Sequence, residues 1–191
     1  MKTIFAVACI ALLCSSAFAG TVLLTFSEFP VNTIITNQYA PQGVVFSGLS
    51  DGPPIIANDG AMPDSPVLSP NPPFAGDFQF TFVSGATQVE FDSGFWNSLG
   101  TGVINVFDVN NNSLGSFTNT CAGATCTVPG VDHFDFTGLG LIGRITFDSL
   151  NDPFGADIDN LTYTPAPEPG TLALLASGFL GLAGAARRFL R

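Results

Sequence analysis

Carboxylates are the one abundant functional group in this sequence. Asp157 and Asp159 stand two apart in a stretch that reads as a strand, so both should project to one side, and Asn160 adds a neutral oxygen. With Glu28 they could gather the hard oxygen ligands that Ca²⁺ takes at about 2.3–2.6 Å, and a structural calcium is the one cofactor the sequence suggests. The plainer expectation is that the same aspartates line an exposed edge. Asp51, Asp59 and Asp64 lack the regular spacing of an EF-hand loop. A glycosidase would need two carboxylates at a defined separation, and with so many acidic side chains some such pair is almost inevitable.

Other chemistry is thinner. His133 is the only histidine, too few for a two- or three-histidine zinc site. As a catalytic base it would need a nucleophile and an orienting carboxylate, and Asp132 and Asp135 are merely its sequence neighbours. On alternation it shares a face with Asp135, opposite Phe134 and Phe136, which places it at a solvated strand position. No Gly-x-Ser-x-Gly elbow and no Gly-rich phosphate loop occurs. Cys121 and Cys126 read as a structural disulfide closing a tight loop, since redox catalysis would want a Cys-x-x-Cys spacing. Phe91-Asp92-Ser93-Gly94-Phe95-Trp96-Asn97 groups aromatics, amides and a carboxylate as sugar-binding clefts do, although core filling is the first expectation for Trp96.

Strands must position these groups. Period-two alternation is plain in Asp77–Phe82, His133–Phe136 and Arg144–Phe147, while no segment between the chain ends sustains a 3.6-residue apolar period. Further strands are expected at Thr21–Phe26, Gly43–Ser47, Thr87–Phe91, Gly102–Val109, Leu114–Thr118, Thr125–Val128 and Ala156–Tyr163, with Asn110–Ser113 as a hairpin connection. Ser50–Gly76, with seven prolines, reads as a long surface excursion. Closely spaced strands without helical patterns between them predict an all-β fold, an antiparallel two-sheet β-sandwich of jelly-roll type over residues 20–164.

The two ends of the 191-residue chain differ from this middle. Lys2, the apolar run Ile4–Cys14 and Ala17-Phe18-Ala19 have the three parts of a signal peptide (1–19), with cleavage by signal peptidase expected between Ala19 and Gly20. Cys9 and Cys14 would leave with it. At the other end Thr164–Gly170 is too proline-rich for helix or central strand and reads as an exposed stalk. The uncharged run Thr171–Ala186 and the cluster Arg187-Arg188-Phe189-Leu190-Arg191 follow. Sixteen apolar residues fall slightly short of a bilayer span, which snorkelling arginines or local thinning could make up.

Pro167-Glu168-Pro169, a short hydrophobic helix and an arginine cluster, in that order and behind a signal peptide, resemble the PEP-CTERM sorting tail (165–191). The resemblance implies recognition by the membrane transpeptidase exosortase, processing near Pro167, Glu168 and Pro169, and an inner-membrane intermediate held by the 171–186 helix. It further implies delivery to the outer surface or extracellular matrix of a Gram-negative bacterium. A looser resemblance to secreted jelly-roll modules rests on Phe26–Phe29, Ile35–Ala40, Gly43–Phe46 and Gly155–Tyr163; it supports the fold and names no ligand.

Charge narrows the partners. Outside the two ends Arg144 is the only cation against fourteen carboxylates, so nucleic-acid binding is excluded by repulsion from phosphate. The sequence therefore predicts a non-enzymatic exported surface protein. The alternatives are a carbohydrate-binding module for exopolysaccharide, using the face near Trp96, and a secreted hydrolase using an acidic pair.

Overall fold

The computed structural model describes residues 20–60, 62, 65–148, 152, 157–166, 177, 178 and 181. The signal segment, Ala19, Pro167, Glu168, Pro169 and the Arg cluster lie outside them; Gly20 is exposed. Ser177, Gly178 and Gly181 are helical, and otherwise the expected 171–186 helix also lies outside the described residues. Among the described residues no helix is long and apolar enough to cross a membrane.

Residues Gly20–Ala166 form one compact unit. Its strands, in chain order, are β1 (Val22–Leu24), β2 (Val44–Gly48), β3 (Gly52–Ala57), β4 (Val67–Asn71) and β5 (Phe78–Gly94). Then follow β6 (Val103–Asp108), β7 (Ser113–Thr118), β8 (Asp132–Asp135), β9 (Ile142–Asp148) and β10 (Asp157–Pro165). Every pairing is antiparallel.

The seventeen-residue strand β5 organises the whole. Its first part pairs with β2 on one side and β9 on the other, and β9 continues to β6 and β7. Its second part pairs with β8 on one side and β10 on the other, and β10 continues to β1, β4 and β3. The strand thus belongs to both layers of a β-sandwich and joins them into one hydrogen-bonded sheet. Between them lies a bend: the register with β9 shifts between Thr81 and Ala86, Val83 and Ser84 are exposed, and Gly85 takes φ +79°, a conformation that favours glycine. Buried positions change parity there, from Phe78, Phe80 and Phe82 to Val89, Phe91 and Ser93.

Aromatic rings fill the space between layers. Phe80 meets Phe91 edge-on at 5.9 Å, and Phe147 stacks on Phe78 at 5.2 Å and on Trp96 at 5.9 Å. A second group links Phe26, Phe46 and Tyr39 edge-to-face. Each fully buried ring contributes about 1.5–3 kcal/mol by leaving water, and each well-oriented pair roughly 0.5–1.5 kcal/mol more.

Three local expectations need correction. Ser50–Gly76 contains β3 and β4, an antiparallel hairpin. Pro53 and Pro54 are tolerated because β3 is the sheet's edge, where a missing amide breaks no inner ladder. That edge is covered by a loop: Ile35 N–H donates to Pro54 O at 2.8 Å and Asn32 N–H to Ile56 O at 2.8 Å. Thr125–Val128 is not a strand. Gly123–Thr125 is a 3₁₀ turn, and Val131 N–H returns to Val128 O at 2.9 Å, because the Cys121–Cys126 disulfide folds this segment back on itself. Asp77–Phe82 and Thr87–Phe91, expected as separate strands, are the two arms of β5.

Candidate functional site

The second arm of β5 buries Val89, Phe91 and Ser93, so alternation turns Gln88, Glu90 and Asp92 to the outer face. On one side β8 sets His133 opposite Asp92 and Asp135 opposite Glu90. On the other, β10 supplies Thr162 opposite Glu90, and Asn160, which lies at a register shift with φ +52°. That bulge turns the Asn160 amide towards β5.

The result is a polar shelf centred on one carboxylate. Asp92 Oδ1 lies 2.9 Å from His133 Nδ1, and Asp92 Oδ2 accepts a hydrogen bond from Asn160 Nδ2 at 3.0 Å. His133 Nε2 lies 4.0 Å from Glu90 Oε2, while Gln88 Nε2 donates to Glu90 Oε1. Asp135 accepts from Thr137 N–H at 2.7 Å; hydrogen bonding from Thr137 holds its carboxyl below the usual range, with a smaller contribution from His133. The His133 side chain is 58% exposed, so the shelf is open to a ligand.

Beside the shelf opens a cleft of about 320 Å³, lined by Asp92, His133, Asp132, Thr120, Thr125 and the disulfide. Asp132 fixes its wall: the buried carboxylate accepts from Thr120 N–H, from the Thr120 hydroxyl at 3.0 Å and from His133 N–H at 3.0 Å. The Cys121–Cys126 bond ties the far rim.

His133 is solvated and opposite Phe134, as alternation implies. Its carboxylate partners are Asp92 and Glu90, on a strand 41 residues away for the closer pair, rather than Asp132 or Asp135 side chains. Sequence reasoning missed that pairing because only register reveals it. The group near Nε2 is a carboxylate, not a hydroxyl, so this is no nucleophilic triad.

Trp96 is fully buried against Phe147 and offers no stacking surface. The sugar-binding face cannot be the one built on its ring. The expected oxygen ligands are also placed differently. Glu28 Oε2 accepts from the Tyr39 hydroxyl at 2.9 Å; burial first, then that hydrogen bond and the Glu28 charge, push the phenol far up. Asp157 and Asp159 are buried rather than lining an exposed edge, and the carboxyl that faces Asp157 with Asp159 is Asp59, from the β3–β4 loop. Among the described residues no three His, Cys, Asp or Glu side chains form a ready metal-binding group.

No curated protein matches the chain. Among solved structures it is similar to the enzymatically active domain of tailspike protein 4 from bacteriophage CBA120, at 17% identity and TM-score 0.37, over 71% of this chain and 22% of that one. The chain thus spans about a fifth of that tailspike. It is also similar to a mutant of the family 29 carbohydrate binding module CBM29-2, at 16% identity and TM-score 0.36, over 76% and 92% of the two chains. The K2 cleaved adhesin domain of Lys-gingipain gives 13% identity and TM-score 0.37, over 76% and 99%. Likeness of this degree carries no argument about ligand or activity. The C-terminal segment is specific by contrast: residues 165–188 match the PEP-CTERM protein-sorting motif, which marks the chain as an exported, exosortase-processed protein.

Proposed function

We propose that this protein is a non-catalytic component of the outer surface or extracellular matrix of a Gram-negative cell. Its β-sandwich binds a hydroxyl-rich polymer, an exopolysaccharide, on the shelf formed by Gln88, Glu90, Asp92, His133 and Asn160. The observation that carries this reading is the Asp92 carboxylate, held by an imidazole on one oxygen and an amide on the other, beside an open cleft. Groups fixed by their own hydrogen bonds need little reordering when a ligand arrives, and that lowers the entropic cost of binding. Carboxylates, amides and an imidazole supply the acceptors and donors that sugar hydroxyls require.

A binding role fits this geometry better than hydrolysis. Glu90 and Asp92 lie on one strand face with His133 between them, and each already accepts a side-chain hydrogen bond. Two catalytic carboxylates must instead flank a scissile bond, one free to give a proton and the other to attack or activate water.

The test is binding of the host's own exopolysaccharide to the full chain in detergent, with Asp92→Ala and His133→Ala alongside. Each variant should weaken binding by roughly tenfold or more, the loss expected for a charge-assisted hydrogen bond, with folding unchanged. Equal affinity in all three would refute the shelf, and release of reducing ends from the polymer would make the protein a hydrolase.

A further inference from the structure

We infer that the Asp59 and Asp157 carboxylates hold a divalent cation of the hard, oxygen-seeking kind, Ca²⁺, between the β3–β4 loop and the start of β10. Asp157 is 0% exposed, and neither of its carboxylate oxygens receives a hydrogen bond from another of the described residues. Among the described residues, the charged groups that act on it are other acids, Asp59 and then Asp159. Two other buried carboxylates are well supplied with donors. Asp132 takes three donors from Thr120 and His133, and Asp152 takes Asn97 N–H at 2.9 Å and the Thr101 hydroxyl at 3.2 Å. Asp157 differs from both in that neither of its oxygens has such a donor.

Two states can stabilise an acid so placed. Either a proton is shared with Asp59, or a cation replaces the missing donors. An isolated carboxylate in a dry interior costs several kcal/mol, and a second carboxylate beside it raises that cost. Burial first, then the Asp59 charge and hydrogen bond, push the Asp157 carboxyl well above its usual range. A shared proton would be an adequate answer in an acidic setting. Outside the cell near neutral pH, a divalent ion neutralises both carboxylates together and takes oxygen ligands at about 2.3–2.6 Å.

The surroundings support an ion. Asp59 is half-buried, so a path from solvent exists on its side. Asp157 is fixed at the head of its strand, paired with Gly94, and its carbonyl accepts from Ser93 Oγ at 2.9 Å. The Asp59 N–H donates to Ser65 Oγ at 3.1 Å within the β3–β4 loop. Carboxylates from a strand and from a loop can close on an ion, while Asp159 adds negative charge from the next inward position of β10. Such an ion would tie the edge hairpin β3–β4 to the central strands, where the β4–β10 ladder itself has only the Ile158–Leu68 pair.

The experiment is calorimetric titration of the full chain, in detergent and after EDTA treatment, with CaCl₂ at pH 7.4 and in excess NaCl, followed by melting with and without Ca²⁺. One site per chain is expected, raising the melting temperature by about 5–10 °C at a hundredfold excess over Kd. Asp157→Asn and Asp59→Asn should each abolish that rise, and Asp148→Asn should retain it. Because Asp59 sits on a half-exposed loop, its variant folds even if the buried one does not. Absence of saturable binding in the native chain at 10 mM Ca²⁺ (a level on the order of the weakest extracellular sites) would overturn the inference. So would a thermal shift that survives Asp59→Asn.

Discussion

Asp92 and His133 face each other across the β5–β8 ladder with 2.9 Å between Oδ1 and Nδ1. Their strands meet only because β5 turns at Val83–Gly85 and leaves β9 for β8. Both side chains remain partly in water, so the contact adds little to folding. A double-mutant cycle of Asp92→Ala and His133→Ala, read by urea unfolding, should give a coupling of about 0.5–1 kcal/mol. A coupling of several kcal/mol would mean the pair is a structural strut rather than a binding surface.

Trp96 should behave in the opposite way. It stacks on Phe147 with no exposed surface, so Trp96→Ala opens a cavity and should cost about 3–5 kcal/mol in a denaturation curve. Gly102 probes the same contact from the other side. A Cβ there would come within 2.2 Å of the Trp96 ring, so Gly102→Ala should destabilise by roughly 1–3 kcal/mol through overpacking. Near-normal stability in either variant would contradict the described packing.

The disulfide spans five positions of sequence and closes one rim of the cleft. A loop that small restricts the unfolded chain modestly, and Cys121→Ser with Cys126→Ser should cost about 2 kcal/mol by the chain-entropy argument. The 3₁₀ turn at Gly123–Thr125 and the Trp96 N–H bond to Gly130 O at 2.7 Å remain to guide the loop. Polymer binding should therefore weaken more than overall folding does. Unchanged affinity in the double variant would remove the cleft from the binding surface.

How much could be read in advance depended on whether a feature was local. Phe78, Phe80 and Phe82 announce an inward face because side chains alternate within a strand, and Asp108 with Asn110 and Asn112 forms the expected hairpin turn through its own carboxylate. The Asp92–His133 pair was not legible, since no local pattern sets register between strands 41 residues apart. Asp59 was weighed only for an EF-hand spacing, and its proximity to Asp157 was illegible for the same reason, since the two are nearly a hundred residues apart. Pro53 and Pro54 misled in another way, because a proline argues against a central strand and says nothing against an edge.

A last prediction concerns acidity at the other end of β9. Burial, then the charge and hydrogen bond of Asp77, push the Asp148 carboxyl up to about 6, whereas an unfolded aspartate titrates near pH 4. Between those two values the folded chain binds the extra proton, so this site's contribution to stability is present at low pH and is lost as pH rises towards 6 and beyond. Much of the group is in water, which screens the repulsion, and the effect should stay below about 1 kcal/mol. Asp148→Asn removes the titration while keeping the shape. It should raise the melting temperature at pH 7.5 and leave it unchanged near pH 4, where Asp148 is already protonated. A variant that lowers stability at pH 7.5 would show that the Asp148 carboxylate instead accepts hydrogen bonds the fold needs.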